Sequence, residues 1–204
     1  MNSDLVGKYV NIASRAAGFI SKRFDGQLMA STSSLLAELQ AAAPVIAAFY
    51  DQREYGKALR EVMLLADRAN QFVDQEKPWE LAKRPDGAIA LQRVCSEAIN
   101  LFRLLTVCLK PVLPKLAQDV EQFLNVKPLT WADAENLLPA GHRINAYRHL
   151  MTRIDPKQVQ ALVEANRQSL QATAQTHSQV RHAEHQVHAV TAPPSPSPQP
   201  SPAR

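Results

Sequence analysis

The sequence predicts an all-α protein built as an antiparallel helix bundle. Glycine occurs only six times in 204 residues, and 46% of the residues are apolar, which is the composition of a helical domain with a substantial core. Apolar residues recur at helical spacing along most of the chain. No segment alternates apolar and polar residues as a half-buried strand does, and no internal repeat is present.

Three helices are predicted in the first part of the chain. The first covers 4–23, with Gly26 placed to end it. The second covers 31–52, an Ala- and Leu-rich segment in which Pro44 is expected to kink or ease the helix. The third covers 53–74 and presents an apolar face at helical spacing.

The second part of the chain is predicted to hold three further helices. The fourth covers 88–109 and stops before a proline, the fifth covers 111–126, and the last begins at Pro156 and runs to about Ala172. Segment 129–155 has no sustained period and predicts irregular structure with short turns. Prolines and a glycine between the third and fourth helices leave room for at most one or two helical turns.

The helical pattern ends near residue 172, which predicts a folded domain over 1–172 and a disordered tail over 173–204. The tail is first His-rich and then Ser/Pro-rich, ending "TAPPSPSPQPSPAR", a composition that cannot build a core. The spacing of its histidines matches no standard metal motif, so we expect no metal site there. These histidines are His177, His182, His185 and His188.

Charge and hydropathy exclude some classes of partner. The net charge of +4 permits a polyanionic partner without requiring one. No apolar run is long enough to span a membrane and the N-terminus lacks a signal-peptide pattern, which favours a cytoplasmic protein without a membrane partner. Cys95 and Cys108 lie thirteen residues apart in one helical stretch and face different sides, so we expect two reduced core thiols.

No catalytic constellation is present in the sequence. It contains no Gly-rich phosphate loop and no nucleophile elbow, so we expect no catalytic residue and no cofactor in this chain. The acidic residues of the third helix, Asp67 and Asp74 among them, are interspersed with basic residues of the same helix. Ion pairs on the helix surface explain them better than acid–base catalysis.

A stripe of polar residues marks one face of the first helix: Lys8, Asn11, Arg15 and Lys22. The first interpretation is the solvated face of an amphipathic helix, which explains most such stripes. The second is recognition of a nucleic acid, because Asn offers a paired donor and acceptor, and Arg a planar fork, both suited to base edges.

Trp79 stands out because it follows Pro78 directly and is surrounded by charged residues in "DQEKPWELAKRP". The proline fixes the backbone, and Lys83 follows one helical turn later, so the indole is a natural platform for an unpaired base with a cation nearby. The alternative is a lid over the end of the bundle, and Trp131 has the surroundings of such a lid. Spacing alone does not separate the two for Trp79.

Four long phrases resemble bacterial methionyl-tRNA synthetase. They are "DLVGKYVNIASRAAGFISKRFDGQL", "ANQFVDQEKPWELAK", "INLFRLLTVCLKPVLPKLAQDVEQFLN" and "RIDPKQVQALVEA". The resemblance is collinear from about Asn2 to Ala172, nearly the whole predicted domain. It implies the α-helical anticodon-binding domain of this class I aminoacyl-tRNA synthetase, with the Ser/Pro-rich tail as an addition.

The resemblance implies which residues bind tRNA. The family's "NxxxR" on the first helix matches Asn11 and Arg15, and its exposed tryptophan in "PW" matches Trp79. In the family these residues read the CAU anticodon of methionine tRNA, with the tryptophan packing against an anticodon base. Asp74 and Pro78 match neighbours that shape that site. The cations Lys8, Lys22 and Lys83 are the candidate phosphate contacts.

The resemblance also implies what the chain lacks. The family's catalytic domain, which uses ATP with magnesium and often holds zinc, is expected before residue 1, and its HIGH-like and KMSKS-like signatures are absent. We therefore expect the anticodon-binding portion of a methionine-tRNA ligase that is not catalytic alone. Its expected partners are methionine tRNA and a separate catalytic fragment, not DNA. Two alternatives stay open, a helical protein-interaction module and a non-functional truncated or frameshifted gene fragment.

Overall fold

The protein was analysed as a computed structural model that describes residues 2–151, 155 and 157–170. A π-helical segment, Asn2–Val10, continues directly into the first α-helix. A short 3₁₀ turn, Trp131–Ala134, follows the last helix of the bundle. The α-helices of the bundle are α1 (Asn11–Arg23), α2 (Ser34–Asp51), α3 (Tyr55–Glu76), α4 (Pro78–Leu81), α5 (Ala88–Leu109) and α6 (Pro114–Leu124).

Helix α5 is the centre of the bundle. Every residue from Val94 to Leu109 is buried, because α5 packs against α1, α2 and α3 as well as α4 and α6. A helix that is covered on all sides needs apolar residues around its whole circumference, and the sequence "VCSEAINLFRLLTVCL" largely provides them. The antiparallel direction of α5 relative to the first helix follows from two contacts, Tyr9 with Thr106 and Met29 with Ser96.

The polar residues of α5 hold the irregular segment that follows α6. The Asn100 side-chain oxygen accepts a hydrogen bond from the backbone of Leu138 at 2.8 Å. The Arg103 guanidinium donates to the backbone oxygen of Asn136 at 2.7 Å. Buried side chains that are paired in this way supply hydrogen-bond partners to backbone groups that have no such partner within a helix or strand. The segment is thus ordered by α5 instead of by its own periodicity.

Glycine is required at the turn that follows α1. Gly26 follows α1 with φ of 76°, and a Cβ there would lie 2.8 Å from the backbone oxygen of Ile144. The close approach lets Gln27 and Arg143 form an isolated antiparallel bridge, and the described residues contain no longer β-structure. The prediction of an all-α fold is therefore confirmed.

The predicted helices are found close to their expected bounds. Helix α5 covers the predicted 88–109, and α4 is the single turn allowed between the prolines. Helix α2 runs through the exposed Pro44 without a break, and Ser33 caps its start by accepting a hydrogen bond from the Leu36 backbone at 3.1 Å. The first helix differs from expectation, because its first nine residues are π-helical.

Both cysteines are free and buried, as predicted. Burial raises the pKa of the Cys95 thiol to about 12, and it raises that of the Cys108 thiol equally. A thiol that stays protonated at neutral pH is a poor nucleophile, so both act as small apolar core residues.

The last described helix covers 157–170 and forms part of a separate compact unit. All of its side chains are exposed, and this includes four large apolar residues. Leu162 is 67% and Leu170 71% accessible to solvent. The predicted ends of this helix, Pro156 and Ala172, lie outside the described residues, as does the whole predicted tail 173–204 with its histidines. The apolar residues in question are Val159, Leu162, Val163 and Leu170.

We expect amide hydrogen exchange to be much faster over 157–170 than in α5. Exchange requires local opening, and a helix that buries no side chain opens at little cost in free energy. Helix α5, which is buried over 94–109, should exchange only on global unfolding. Equal protection of the two helices in a mass-spectrometric exchange experiment would contradict this prediction.

Candidate nucleic-acid interface

A row of side-chain pairs joins the first helical stretch, which is the π-helical segment together with α1, to α3. Lys8 Nζ lies 2.9 Å from Asp67 Oδ2, Asn11 Nδ2 donates to Asn70 Oδ1 at 3.2 Å, and the Arg15 guanidinium donates to Asp74 Oδ1 at 2.5 Å. Each pair is separated by 59 residues in sequence. Because this offset is constant while the numbers rise on both sides, the two helices run parallel to one another.

Asn70 fixes the middle of this row. Its side-chain amide donates to the backbone oxygens of Lys8 and Ala66, both at 2.9 Å. The carbonyl end of the same side chain is then turned towards Asn11. The backbone oxygen of Lys8, near the end of the π-helical segment, therefore accepts a hydrogen bond within this row of contacts.

Lys8 is engaged by two carboxylates. Its amine contacts Asp67 at 2.9 Å and Asp4 at 3.8 Å. The hydrogen bond with Asp67 raises the pKa of the Lys8 amine. Lys8 is therefore a cation whose charge is already balanced on the protein surface.

Arg15 lies between a carboxylate and an indole. Its guanidinium carbon is 4.7 Å from the centre of the Trp79 ring, while a terminal nitrogen holds Asp74. The side chain of Arg15 is 24% accessible and that of Asp74 is 60% accessible, so the group is open to solvent on one side. A cation over an aromatic face and an exposed ion pair are each worth about 1 kcal/mol or less.

The backbone before Trp79 fixes the position of the indole. Helix α3 ends at Lys77, which has left-handed φ and ψ of 46° and 63°. Pro78 follows as the buried first residue of α4, and its ring fixes φ. Trp79 is half-buried, with part of its surface packed on the core. It is thus a rigid aromatic at the edge of the bundle, and neither a buried core residue nor a free side chain.

The cations on α1 and in the segment from Lys77 to Arg84 divide into paired and unpaired groups. Lys83, in the turn after α4, contacts Glu80 at 2.9 Å. Lys22, Lys77 and Arg84 are exposed and make no ion pair within the described part of the chain. Exposed cations without an ion-pair partner are available to contact the phosphates of a single-stranded nucleic acid.

The structure brings together Asn11, Arg15, Asp74 and Trp79, and the buried Pro78 directly precedes the indole in sequence. The sequence alone did not identify Asn70. Its role depends on a contact with Asn11, 59 positions earlier, and no local pattern marks it. The cation over the ring is Arg15 and not the sequence neighbour expected to accompany Trp79. That expected neighbour, Lys83, pairs with Glu80 three residues earlier instead.

Two interpretations of the sequence need correction. The stripe of α1 is not simply a solvated face, because three of its four residues contact α3. Asp67 and Asp74 do not pair with cations of their own helix but with Lys8 of the π-helical segment and Arg15 of α1. The spacing rules for a single helix cannot detect such pairs, since the partners are distant in sequence.

Over 2–151, 155 and 157–170, no three His, Cys, Asp or Glu side chains lie close enough to hold a metal ion. None of the helices described is long and apolar enough to cross a membrane.

A comparison with protein families gives one match, the anticodon-binding domain of methionyl-tRNA ligase, over residues 24–189. The matched range contains Asp74, Pro78 and Trp79. It begins after α1, so Asn11 and Arg15 lie outside it.

Solved structures of methionyl-tRNA synthetase from Mycobacterium tuberculosis have the same fold. The apo form aligns with a TM-score of 0.69 and 22% sequence identity over 76% of this chain. A form bound by methionyl-adenylate aligns with a TM-score of 0.67 and 21% identity over 74%. This chain spans about a third of the length of either structure, with coverage of 33% and 32%. The family match extends over most of the sequence, and the chain therefore belongs to the family of anticodon-binding domains of methionyl-tRNA ligase.

Proposed function

We propose that this chain binds the anticodon loop of methionine tRNA and recognises its CAU anticodon in cytoplasmic protein synthesis. The observation that carries the proposal is the position of Arg15 between Asp74 and Trp79, with Asn11 one turn away on the same helix. A rigid aromatic beside base-edge donors and acceptors is what recognition of an unpaired base requires.

Stacking on Trp79 is the first step of recognition. A base that stacks on the face covered by Arg15 has to displace the guanidinium. Base–aromatic stacking is worth about 1–3 kcal/mol, and the exposed contacts of Arg15 are each worth about 1 kcal/mol or less, so displacement is favourable. Release from the ring also frees the guanidinium for a base or phosphate.

Hydrogen bonds to base edges are the second step. Asn11 is half-buried and held by Asn70, so its side chain is oriented before RNA arrives. Arg15 presents a planar fork that forms two parallel hydrogen bonds with a suitable base. Asp74, which holds Arg15 in the free protein, determines how readily the fork is released.

Contacts with phosphates supply affinity that does not depend on sequence. Of the three candidate lysines, Lys22 alone has no ion-pair partner among the described residues, while Lys8 and Lys83 already contact carboxylates. Lys22 is therefore the first choice for a phosphate contact. Lys22→Ala is expected to weaken binding of all RNA sequences alike and to lower the salt dependence.

Anticodon stem-loops at low salt test this function. The wild-type chain is expected to bind a CAU stem-loop more tightly than one with an altered anticodon, and Asn11→Ala or Arg15→Ala should reduce that difference. Lys115→Ala is a matched control, because Lys115 is exposed on α6 and pairs with Asp119 of the same helix. Equal binding of both stem-loops by the wild type would reject anticodon recognition and favour a protein-interaction module.

The proposal includes no catalysis by this chain alone. The purified protein is expected to show no methionine-dependent ATP–pyrophosphate exchange, because its sequence contains no ATP-binding signature. ATP with magnesium would then act in a separate catalytic portion. A protein prepared in the same way with only the affinity tag serves as the control. Exchange above that background would contradict the proposal.

A further inference from the structure

The row of side-chain pairs that joins the first helical stretch to α3 ends at Arg15. With the constant offset of 59 residues, the next two positions of the α1 stripe, Gly18 and Lys22, would face positions 77 and 81. Helix α3 ends at Glu76, and Lys77 turns the chain away with its left-handed backbone. Gly18 and Lys22 are both exposed as a result. The uncovered end of the stripe begins one turn beyond the guanidinium that lies on Trp79.

No contact among the described residues explains a glycine at position 18. Gly18 lies inside α1, has no positive φ, and a Cβ there would meet no atom within 4 Å. Glycine in the interior of a helix is less stable than alanine, because it loses more conformational freedom on folding. Along the axis of α1, Gly18 lies one turn after Arg15 and one turn before Lys22, and on the helical wheel it falls at the edge of the stripe, about 40° from Lys22. A missing side chain at this point leaves the backbone of α1 open to a ligand.

We propose that Gly18 is the point where the sugar-phosphate backbone of a bound single-stranded RNA crosses α1. This inference rests on the proposed function and extends it from the bases to the strand that carries them. Arg15 and Trp79 hold the base on one side of the crossing, and Lys22 meets a phosphate on the other. Lys77, exposed at the end of α3, adds positive charge beside the path.

The physical reason is the distance between strand and helix. Over a glycine, sugar and phosphate atoms reach van der Waals contact with the helix backbone. A longer side chain would hold the strand away from α1 and would separate it from Trp79 and Lys22 at the same time. Gly18 is thus a positioning residue, because its small size lets two other residues contact the same strand.

Substitutions at two glycines test this inference. Gly56 is the matched control, since it is also exposed within a helix, meets nothing within 4 Å, and lies at the opposite end of α3 from Trp79. Gly18→Ala and Gly56→Ala should both raise the midpoint of thermal unfolding. Gly18→Gln is expected to weaken binding of a CAU stem-loop roughly tenfold or more, because the longer side chain would disturb both a phosphate contact and base stacking. Gly18→Ala should weaken binding less. Neither Gly56→Ala nor Gly56→Gln should change binding.

A double substitution separates the strand crossing from a general disturbance. If Gly18→Gln lifts the phosphate away from Lys22, then adding Lys22→Ala to it should weaken binding little further. Additive losses would overturn the inference, as would wild-type affinity in Gly18→Gln. Both of those results leave the proposed function standing. A wild-type chain that binds no anticodon stem-loop rejects the proposed function and the crossing point together.

Discussion

Trp79→Ala is expected to weaken binding of a CAU anticodon stem-loop by roughly 5- to 150-fold, which corresponds to about 1–3 kcal/mol of lost stacking. The indole is held by a buried proline and a left-handed Lys77, so little ordering is needed when a base stacks on it. Alanine at this position removes the stacking surface and leaves Arg15 with Asp74 as its remaining contact. Fluorescence anisotropy of a labelled stem-loop measures the change.

Trp131→Ala is the control for this substitution. Trp131 is also accessible, at 36%, but it packs 6.0 Å from the Tyr50 ring, near the start of α3 instead of its end. Its removal should leave RNA binding unchanged. Trp79→Phe should bind with intermediate affinity, because a smaller ring keeps part of the stacking surface. Unchanged binding by Trp79→Ala, with circular dichroism showing an intact bundle, would contradict the role of the indole.

Phe102→Ala is expected to lower the free energy of unfolding by about 3–5 kcal/mol. Phe102 is fully buried in α5, stacks on Tyr9 with ring centres 4.7 Å apart, and meets the edge of Phe123 at 6.5 Å. Removal of its ring leaves a cavity between the π-helical segment, α5 and α6, and these three elements cannot all shift to fill it. Urea unfolding followed by circular dichroism measures the loss.

The same substitution should also disturb the site. Tyr9 lies two residues before Asn11, and its hydroxyl donates to Thr106 Oγ1 at 2.6 Å, since the Thr106 hydroxyl itself donates to the Phe102 backbone. Phe102 and Thr106 thus hold the start of α1 against α5. Leu64→Ala is the control, because Leu64 is an exposed residue of α3, and surface changes of this kind alter stability by only about 0.5 kcal/mol. Similar losses in both variants would contradict the central role of Phe102.

Much of the fold was predictable because the signals for it are local. The periodic apolar residues of α5 and the prolines and glycines that bound it determine a helix over 88–109, and the structure has the same limits. Pro78 and Trp79 determine a rigid aromatic turn in the same way. The π-helical start of the first helix was not predicted, because the apolar spacing that indicated a helix does not distinguish the two types over nine residues.

The arrangement of the site depends on contacts between residues that are distant in sequence. The sequence by itself determined that Asn11, Arg15 and Lys22 share a face, because helical spacing alone places them there. Only the tertiary structure decided that Arg15 lies on Trp79, 64 positions later, and that α3 ends in time to leave Gly18 and Lys22 uncovered. The offset between α1 and α3 results from how both helices pack on α5, and no local pattern in either helix encodes it.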